Sequence, residues 1–277
     1  LEWLKVGEFF PPNDPTTKSR LARYEINKRL FEGDHKKIYN SVIATTERVI
    51  PNFKDHIDFI AVLNYQRLLS LKVADLIFGD EPIFSAGEED SKEEKAIKSI
   101  ATNSDMINTG YASSIDLTRY GDSLLYVYKD EESNSGVIDI TPPTYWFPIV
   151  DAKNVRKINN NVLAWTYTEK DNLGKTHYYL MAEIHYKGYH EDVTFELQKS
   201  NSARGPYKII KEISREKIDT GLSDSAVIPI NNIKTSDSCT GYDDYEMVNS
   251  LIYEFMTRLT QISKILDKHA SPNMEGP

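Results

Sequence analysis

The chain has 277 residues, 40% of them hydrophobic and 27% charged, enough to bury a substantial core in one large domain or two modest ones. Its formal charge of −9 disfavours a surface built to grip nucleic acid, since that affinity comes from neutralising phosphates, although a local basic patch is still allowed. No apolar run approaches the roughly 20 residues needed to cross a bilayer, and the single cysteine, Cys239, rules out an intrachain disulfide and leaves a reducing compartment unopposed.

The first residues, Leu1-Glu2-Trp3-Leu4-Lys5, contain neither a basic leader nor an apolar block, so no secretory signal is visible. A first residue other than Met and an end at Glu275-Gly276-Pro277 suggest a fragment. After Pro11, Pro12 and Pro15, Thr16 or Thr17 is placed to cap a helix that runs to about Glu32 and closes at Gly33. A stronger helix is predicted from Pro51 to about Phe78, with Gly79 as the stop and Pro82 beyond. Its apolar residues, from Ile57 through Leu68, Leu76 and Ile77, lie on nearly every face, which predicts a buried element at the centre of the core. The charge run from Gly87 to Lys95 reads as a solvated loop and helix start, followed by helices over about 93–101 and 105–118, the second tolerating Gly110 at some cost.

At Gly121 the texture changes. The segments 123–128, 137–140, 146–150, 163–168, 177–186 and 193–197 are rich in aromatic and branched residues and are separated by turn clusters. The short intervals between them favour antiparallel meanders over helical crossovers. The predicted class is α+β. Residues 1–120 form a helical part, 121–232 an antiparallel β-rich part, and 233–277 a linker and a long amphipathic helix.

That last helix spans Asp243 to His269 without proline or glycine, roughly 40 Å at ~1.5 Å per residue. Asp243 and Glu246 have capping-box spacing. Tyr245, Val248, Ile252, Phe255, Leu259, Ile262 and Leu266 fall at alternating steps of three and four. They form a heptad seam widened by Leu251 and Ile265. The opposite face carries Glu246, Ser250, Tyr253, Glu254, Thr257, Thr260, Gln261, Lys264 and Lys268. The chain holds no second heptad segment to receive the seam. Either the helix docks on earlier parts of the chain, or its seam is meant for another copy or for sequence beyond Pro277.

Catalytic signatures are scarce. There is no Gly-rich phosphate loop ending in Lys-Ser/Thr, no G-x-G-x-x-G, no H-E-x-x-H and no G-x-S-x-G. His177, His185 and His190 lack a Cys or a spaced carboxylate pair to complete a metal site, and the acidic surroundings of Cys239 disfavour a thiolate. No catalytic residue, metal or cofactor is predicted. Glu183 with Glu191, and aromatic residues including Trp146 and Trp165, allow an alternative reading as a glycan-active enzyme or carbohydrate-binding module. The more ordinary reading of those rings is sheet core and cross-strand pairs.

Several stretches, in order, resemble the portal proteins of tailed bacteriophages. They are Arg23-Tyr24 through Gly33-Asp34-His35 with Tyr39; Asn64 through Phe78-Gly79-Asp80-Glu81-Pro82; Tyr120-Gly121-Asp122-Ser123-Leu124-Leu125; Pro143 to Pro148-Ile149-Val150-Asp151; Gly241-Tyr242-Asp243-Asp244-Tyr245-Glu246; and Ala270 to Pro277. The resemblance implies the family's wing and first stem helix, with the clip, second stem helix, tunnel loop and crown placed downstream. It further implies a structural, non-enzymatic subunit of a homo-oligomeric ring, usually of twelve, at one capsid vertex of the virion. Such a ring is assembled in the host cytoplasm and serves as conduit for double-stranded DNA during packaging and ejection. The implied partners are a terminase motor, a head-to-tail adaptor, capsid and scaffolding proteins, and transient, non-specific double-stranded DNA, with no membrane. On this reading the seam packs against neighbouring subunits, while Ser250, Glu254, Thr257, Gln261, Lys264 and Lys268 look toward the channel. Another virion component, such as a tail or baseplate protein, is a third possibility.

Overall fold

A computed structural model describes residues 4–35, 63–80 and 82–270. Its largest element is an antiparallel sheet whose order is β1-β8-β7-β6-β5-β4. The strands are β1 (Phe9–Phe10), β4 (Ile149–Asp151), β5 (Asn154–Lys170), β6 (Thr176–His185), β7 (Tyr189–Ser202) and β8 (Gly205–Asp219). Successive strand residues face opposite sides. Val162, Ala164, Leu180, Ala182, Val193, Phe195 and Leu197 therefore fall together on one face, where Phe10, Phe147 and Ile209 complete the main core. A second sheet, β3-β2-β9, is built from β2 (Asp122–Asp130), β3 (Ser135–Thr141) and β9 (Val227–Asn231). It meets the other face of the large sheet through Leu124, Val227, Leu163 and Trp146.

Four helices precede β2 and one follows β9 among the described residues. They are α1 (Pro15–Glu32), α2 (Tyr65–Phe78), α3 (Lys92–Asn103), α4 (Met106–Tyr120) and α5 (Tyr245–Ala270). The α+β class stands, and the elements depart from the sequence expectations in identifiable ways. Asp14, not Thr16 or Thr17, caps α1, its side chain accepting from the Thr17 N–H at 2.8 Å with Pro15 in the first turn. The helix closes on left-handed Gly33, as the sequence predicts. Residues 51–62 of the predicted second helix lie outside the described residues, as do Tyr39, Glu81 and 271–277.

The described part of that helix, α2, is not the centre of the core. Its buried stripe is Gln66, Ser70 and Ala74, whereas Leu68 and Ile77 are exposed and Leu76 is 86% exposed. Small residues at this stripe let α2 lie close to α4, whose buried side is equally small and polar (Thr109, Gly110, Ser113, Ser114). The Phe78 ring occupies the space a Cβ on Gly110 would need, which accounts for a glycine inside α4.

The stretch 146–150 is also less strand-like than predicted. Pro143–Tyr145 forms a 3-10 turn, Trp146 makes a single bridge to Leu163, and only Ile149–Asp151 is strand. Strands β1, β8 and β9 carry no individual expectation. β8 is concealed because its residues 211–217, Lys-Glu-Ile-Ser-Arg-Glu-Lys, are all exposed and read as a solvated charge run.

Trp146 is fully buried, donates from its indole N–H to Asn161 Oδ1 (3.0 Å), and accepts Arg20 Nη2 at its carbonyl (2.5 Å). Trp165 is half-buried beside Tyr145, with ring centroids 5.8 Å apart. Replacing Trp146 with Ala is expected to cost about 3–5 kcal/mol of unfolding free energy. Trp165→Ala should cost clearly less. Urea denaturation of the two variants checks the ranking.

Candidate functional site: the root of the long helix

Three chain segments about a hundred positions apart meet at the carboxylate of Asp122, the first residue of β2. Oδ1 accepts from the Asn231 side-chain amide (2.6 Å) and from the Gly241 N–H (2.7 Å). Oδ2 accepts a short hydrogen bond from the Tyr24 hydroxyl of α1. Asp122 and Tyr24 are both fully buried. Burial holds the Asp122 carboxyl above the usual carboxylate range, against the pull of its three donors. It raises the Tyr24 phenol as well, with the adjacent Asp122 adding to the effect. Both Asp122 oxygens find donors, the condition under which burying the carboxylate is tolerable.

The same locus holds the start of α5. Asp243 Oδ1 accepts from the N–H groups of Tyr245 (3.0 Å) and Glu246 (2.9 Å), and its Oδ2 lies 3.3 Å from Arg23 Nε. The cap is one-sided, because Glu246 is exposed and no bond from its carboxylate back to Asp243 occurs among the described residues. The Asp244 N–H donates to Thr118 O (2.9 Å) and the Asn232 N–H to Gly121 O (2.9 Å). Gly121 and Gly241 cross with their backbones nearly touching: a Cβ on Gly241 would lie 2.1 Å from Gly121 O. One turn into the helix, the hydroxyls of Tyr245 and Ser70 share a hydrogen bond of 2.7 Å, and Gln66 donates to Asn249 Oδ1 (3.0 Å). The first two turns of α5 are thus tied to α2, and residues 241–244 just before them to α1, α4, β2 and Asn232 at the end of β9.

Beyond its root, α5 has three faces. Tyr245, Met256 and Thr260 are buried, with Asn249 and Tyr253 half-buried between them. A second stripe, Met247, Leu251, Phe255, Ile262, Ile265 and Leu266, is exposed; at ~3.6 residues per turn it covers roughly a third of the circumference. Val248, Ile252 and Leu259 are half-buried on the shoulder between the two. The third face is polar, with Ser250, Glu254 and Gln261 exposed and Thr257 half-buried. The side chains of Lys264 and Lys268 fall outside the described residues. The predicted single seam is therefore split between the body and solvent, and Tyr253 and Thr260 turn toward the body instead of the polar face. Heptad spacing defines a stripe but not which of its edges the tertiary contacts will cover.

The family model described as "Phage portal protein, SPP1 Gp6-like" matches residues 14–273. The chain belongs to this phage portal protein family. It is accordingly a structural virion protein of a tailed bacteriophage, a head-tail connector component with a role in genome packaging, from a family of oligomeric rings at the capsid vertex. Comparison with curated proteins returns no match. Three of the stretches that carry the sequence resemblance, Arg23-Tyr24, Gly121-Asp122 and Gly241 to Glu246, are those that converge at the root of α5. Arg20, Asn231 and Cys239 are neighbours that sequence reasoning missed. The signal for Asp122 was present, a carboxylate opening an otherwise apolar strand.

Among the other described residues of the portal chain no comparable constellation occurs. Glu183 and Glu191 project from opposite faces of the sheet, since Glu183 pairs in register with Asp192 and Glu191 with Ile184. Glu191 is bound to Arg215 (2.6 Å) and Glu183 to His185 (3.2 Å), so a two-carboxylate glycosidase site does not assemble. The His185 and His190 rings stand 5.1 Å apart, and His177 sits with Asp171 (3.2 Å) at the far end of β6. Among the described residues no group of three or more His, Cys, Asp or Glu is arranged to hold a metal. Burial raises the Cys239 thiol, as in an inert cysteine. No described helix is long and apolar enough to cross a membrane.

Gly241→Ala should lower stability by more than about 2 kcal/mol, because the new methyl meets backbone and not a movable side chain. Thermal unfolding reads the loss, and Gly136→Ala, whose new Cβ would meet only the Ile100 side chain at 3.5 Å, is the comparison. A second outcome concerns Asp116 of α4, whose carboxyl burial pushes up to about 6 despite its pair with Arg119 at 2.8 Å. The neutral form is favoured in the fold, so the folded state retains a proton that the unfolded chain releases near ~3.9. Stability then falls as pH rises from about 4 to about 6, by up to roughly 3 kcal/mol. Asp116→Asn should flatten that part of the stability–pH curve.

Proposed function

We propose that this chain is the ring-forming portal subunit through which double-stranded DNA enters the capsid and later leaves, with α5 as its first stem helix. The observation that carries the reading is the uncovered apolar stripe on a helix whose root is rigidly tied. Leu251 is 70% and Ile262 52% exposed, beside Met247, Phe255, Ile265 and Leu266. A stripe of this size on a helix is stabilised by burial against another surface, at about 25 cal/mol per Å² removed from water. In a ring the neighbouring subunits supply that surface to each copy, and a closed rotation leaves no stripe unpaired. Twelve copies is the number the family resemblance favours.

The polar face, Ser250, Glu254, Thr257, Gln261, Lys264 and Lys268, then looks toward the channel. Glu254 is spent on Arg258 (2.7 Å), which leaves the described part of this face with little free charge of either sign. A moving polyanion would have to break every tight phosphate contact in turn, so a weakly charged lining suits passage. The residues up to 120 and from 121 to 232 act as the wing, and 233–277 as linker and stem. The ring is the docking platform for the terminase motor and head-to-tail adaptor, contacts capsid and scaffolding proteins, and is put together in the host cytoplasm. ATP-driven work belongs to the motor.

Leu251→Asp with Ile262→Asp tests the reading. Both side chains are exposed, so the fold should survive, whereas the half-buried Ile252 and Leu259 would confuse assembly with stability. Negative-stain electron microscopy of the full-length double variant should show dispersed subunits with unchanged circular dichroism. Intact rings would reject the stem assignment.

A further inference from the structure

The chain is acidic overall, with 33 basic and 42 acidic residues, yet one end of the large sheet is not. In the antiparallel meander the β5–β6 turn and the β7–β8 turn fall at the same end, as the pairs Lys170↔Thr176 and Ser202↔Gly205 show. That end carries Lys170, Lys175, Lys199, Arg204 and Lys208, all exposed, with Lys208 in register with Gln198 and so on the other face of the sheet from Lys199. From Gln198 to Lys211 there is no Asp or Glu at all. Among the described residues none of the five side chains has an ion-pair partner, in contrast to Arg23, Arg119, Arg215 and Arg258, which all do.

The carboxylates flanking Lys170 are Glu169, exposed on the opposite face of β5 in register with His177, and Asp171, which is already committed. Asp171 accepts from the N–H groups of Leu173 and Lys175 (both 2.9 Å) and faces His177 Nε2 (3.2 Å). Lys211 stands opposite Glu196 in register and is not counted among the free cations. Tyr178 braces the patch, with Lys199 Nζ 4.7 Å above its ring and the Tyr207 ring 5.9 Å away. Asn201 and Ser202 add exposed neutral donors beside the cations, with the half-buried Ser200 next to them.

The geometry points to a contact between this basic sheet end and the phosphate backbone of double-stranded DNA, separate from the passage along α5. The patch has flexible ammonium groups and one guanidinium but no groove-sized element to read bases, which fits backbone contact without sequence preference. It lies about 30 Å along β5 from Asn161, where the two sheets meet, counting ~3.3 Å per residue. Each copy would bind weakly and with strong salt dependence, and a ring would add the contacts of many copies. The choice of DNA over another polyanion rests on the conduit reading, which already brings duplex to the ring.

The test is fluorescence anisotropy of a labelled random-sequence duplex titrated with this chain at low and moderate salt. A triple variant, K199E/R204E/K208E, and its neutral counterpart, K199Q/R204Q/K208Q, are titrated alongside. Binding by the unaltered chain should fall steeply with salt. The glutamine variant should lose about tenfold or more in affinity at low salt, with the salt slope flattened by roughly 0.9 for each phosphate contact removed. The glutamate variant should lose more. No binding by the folded chain at low salt, or equal binding by the glutamine variant, overturns the inference. So does tight capture of poly-glutamate without capture of duplex, which would assign the patch to an acidic protein. Rings of the full-length K199Q/R204Q/K208Q protein should look normal in micrographs. The conduit reading therefore stands or falls separately, on the α5 stripe.

Discussion

The buried carboxylate of Asp122 is the constraint from which the rest of the architecture follows. A carboxylate out of water is costly unless its lone pairs are matched by donors. Here those donors come from α1, from the end of β9 and from the strap before α5. Satisfying one group thus requires three distant segments to be in place together. The Gly121–Gly241 crossing lets the backbones come close enough for this, since a side chain at either position would push them apart. Order at the root is therefore cooperative.

What the root orients is α5. A helix tied by directional bonds at its base has its direction set there; farther along, Met256 and Thr260 still face the body and Phe255 lies beside Tyr65, while the apolar stripe and the polar face are presented to whatever lies next to them. Gln66–Asn249 and Tyr245–Ser70 fix the rotation about the helix axis, so the exposed apolar stripe and the polar face point in defined directions. For a ring subunit rotation matters as much as tilt, because turning the helix by one residue would exchange the faces offered to neighbours and to the channel. The polar bonds at the root are directional in a way that apolar contacts are not.

The large sheet distributes charge by a similar logic. Its inner end is sealed by Trp146 and Leu163 against the second sheet, while its outer end is covered only in part, by β1 at Tyr207 and Lys208, and carries cations without ion-pair partners among the described residues. β8 carries its charges along an otherwise open edge, which discourages edge-to-edge association with other chains. Only part of this display is neutralised, by pairs such as Arg215–Glu191 and Arg215–Glu212.

By itself the sequence determined what depends on neighbours a few residues away. Periodicity and turn chemistry marked α1, α3, α4 and α5, the change to antiparallel strands at Gly121, and the cap at Asp243. The ordered motifs were enough to name a family. Tertiary structure decided what depends on partners a hundred residues away. Leu76 looks like core in the chain and lies in solvent, because α2 buries its small residues against α4. Thr260 and Met256 face the body while Leu251 does not, because Tyr245 and Asn249 lock the rotation of α5. β8 has no strand signal of its own within the β-rich region and is a strand because β7 offers it a ladder. Spacing along a chain says which side chains share a face; only the packed fold says what that face meets.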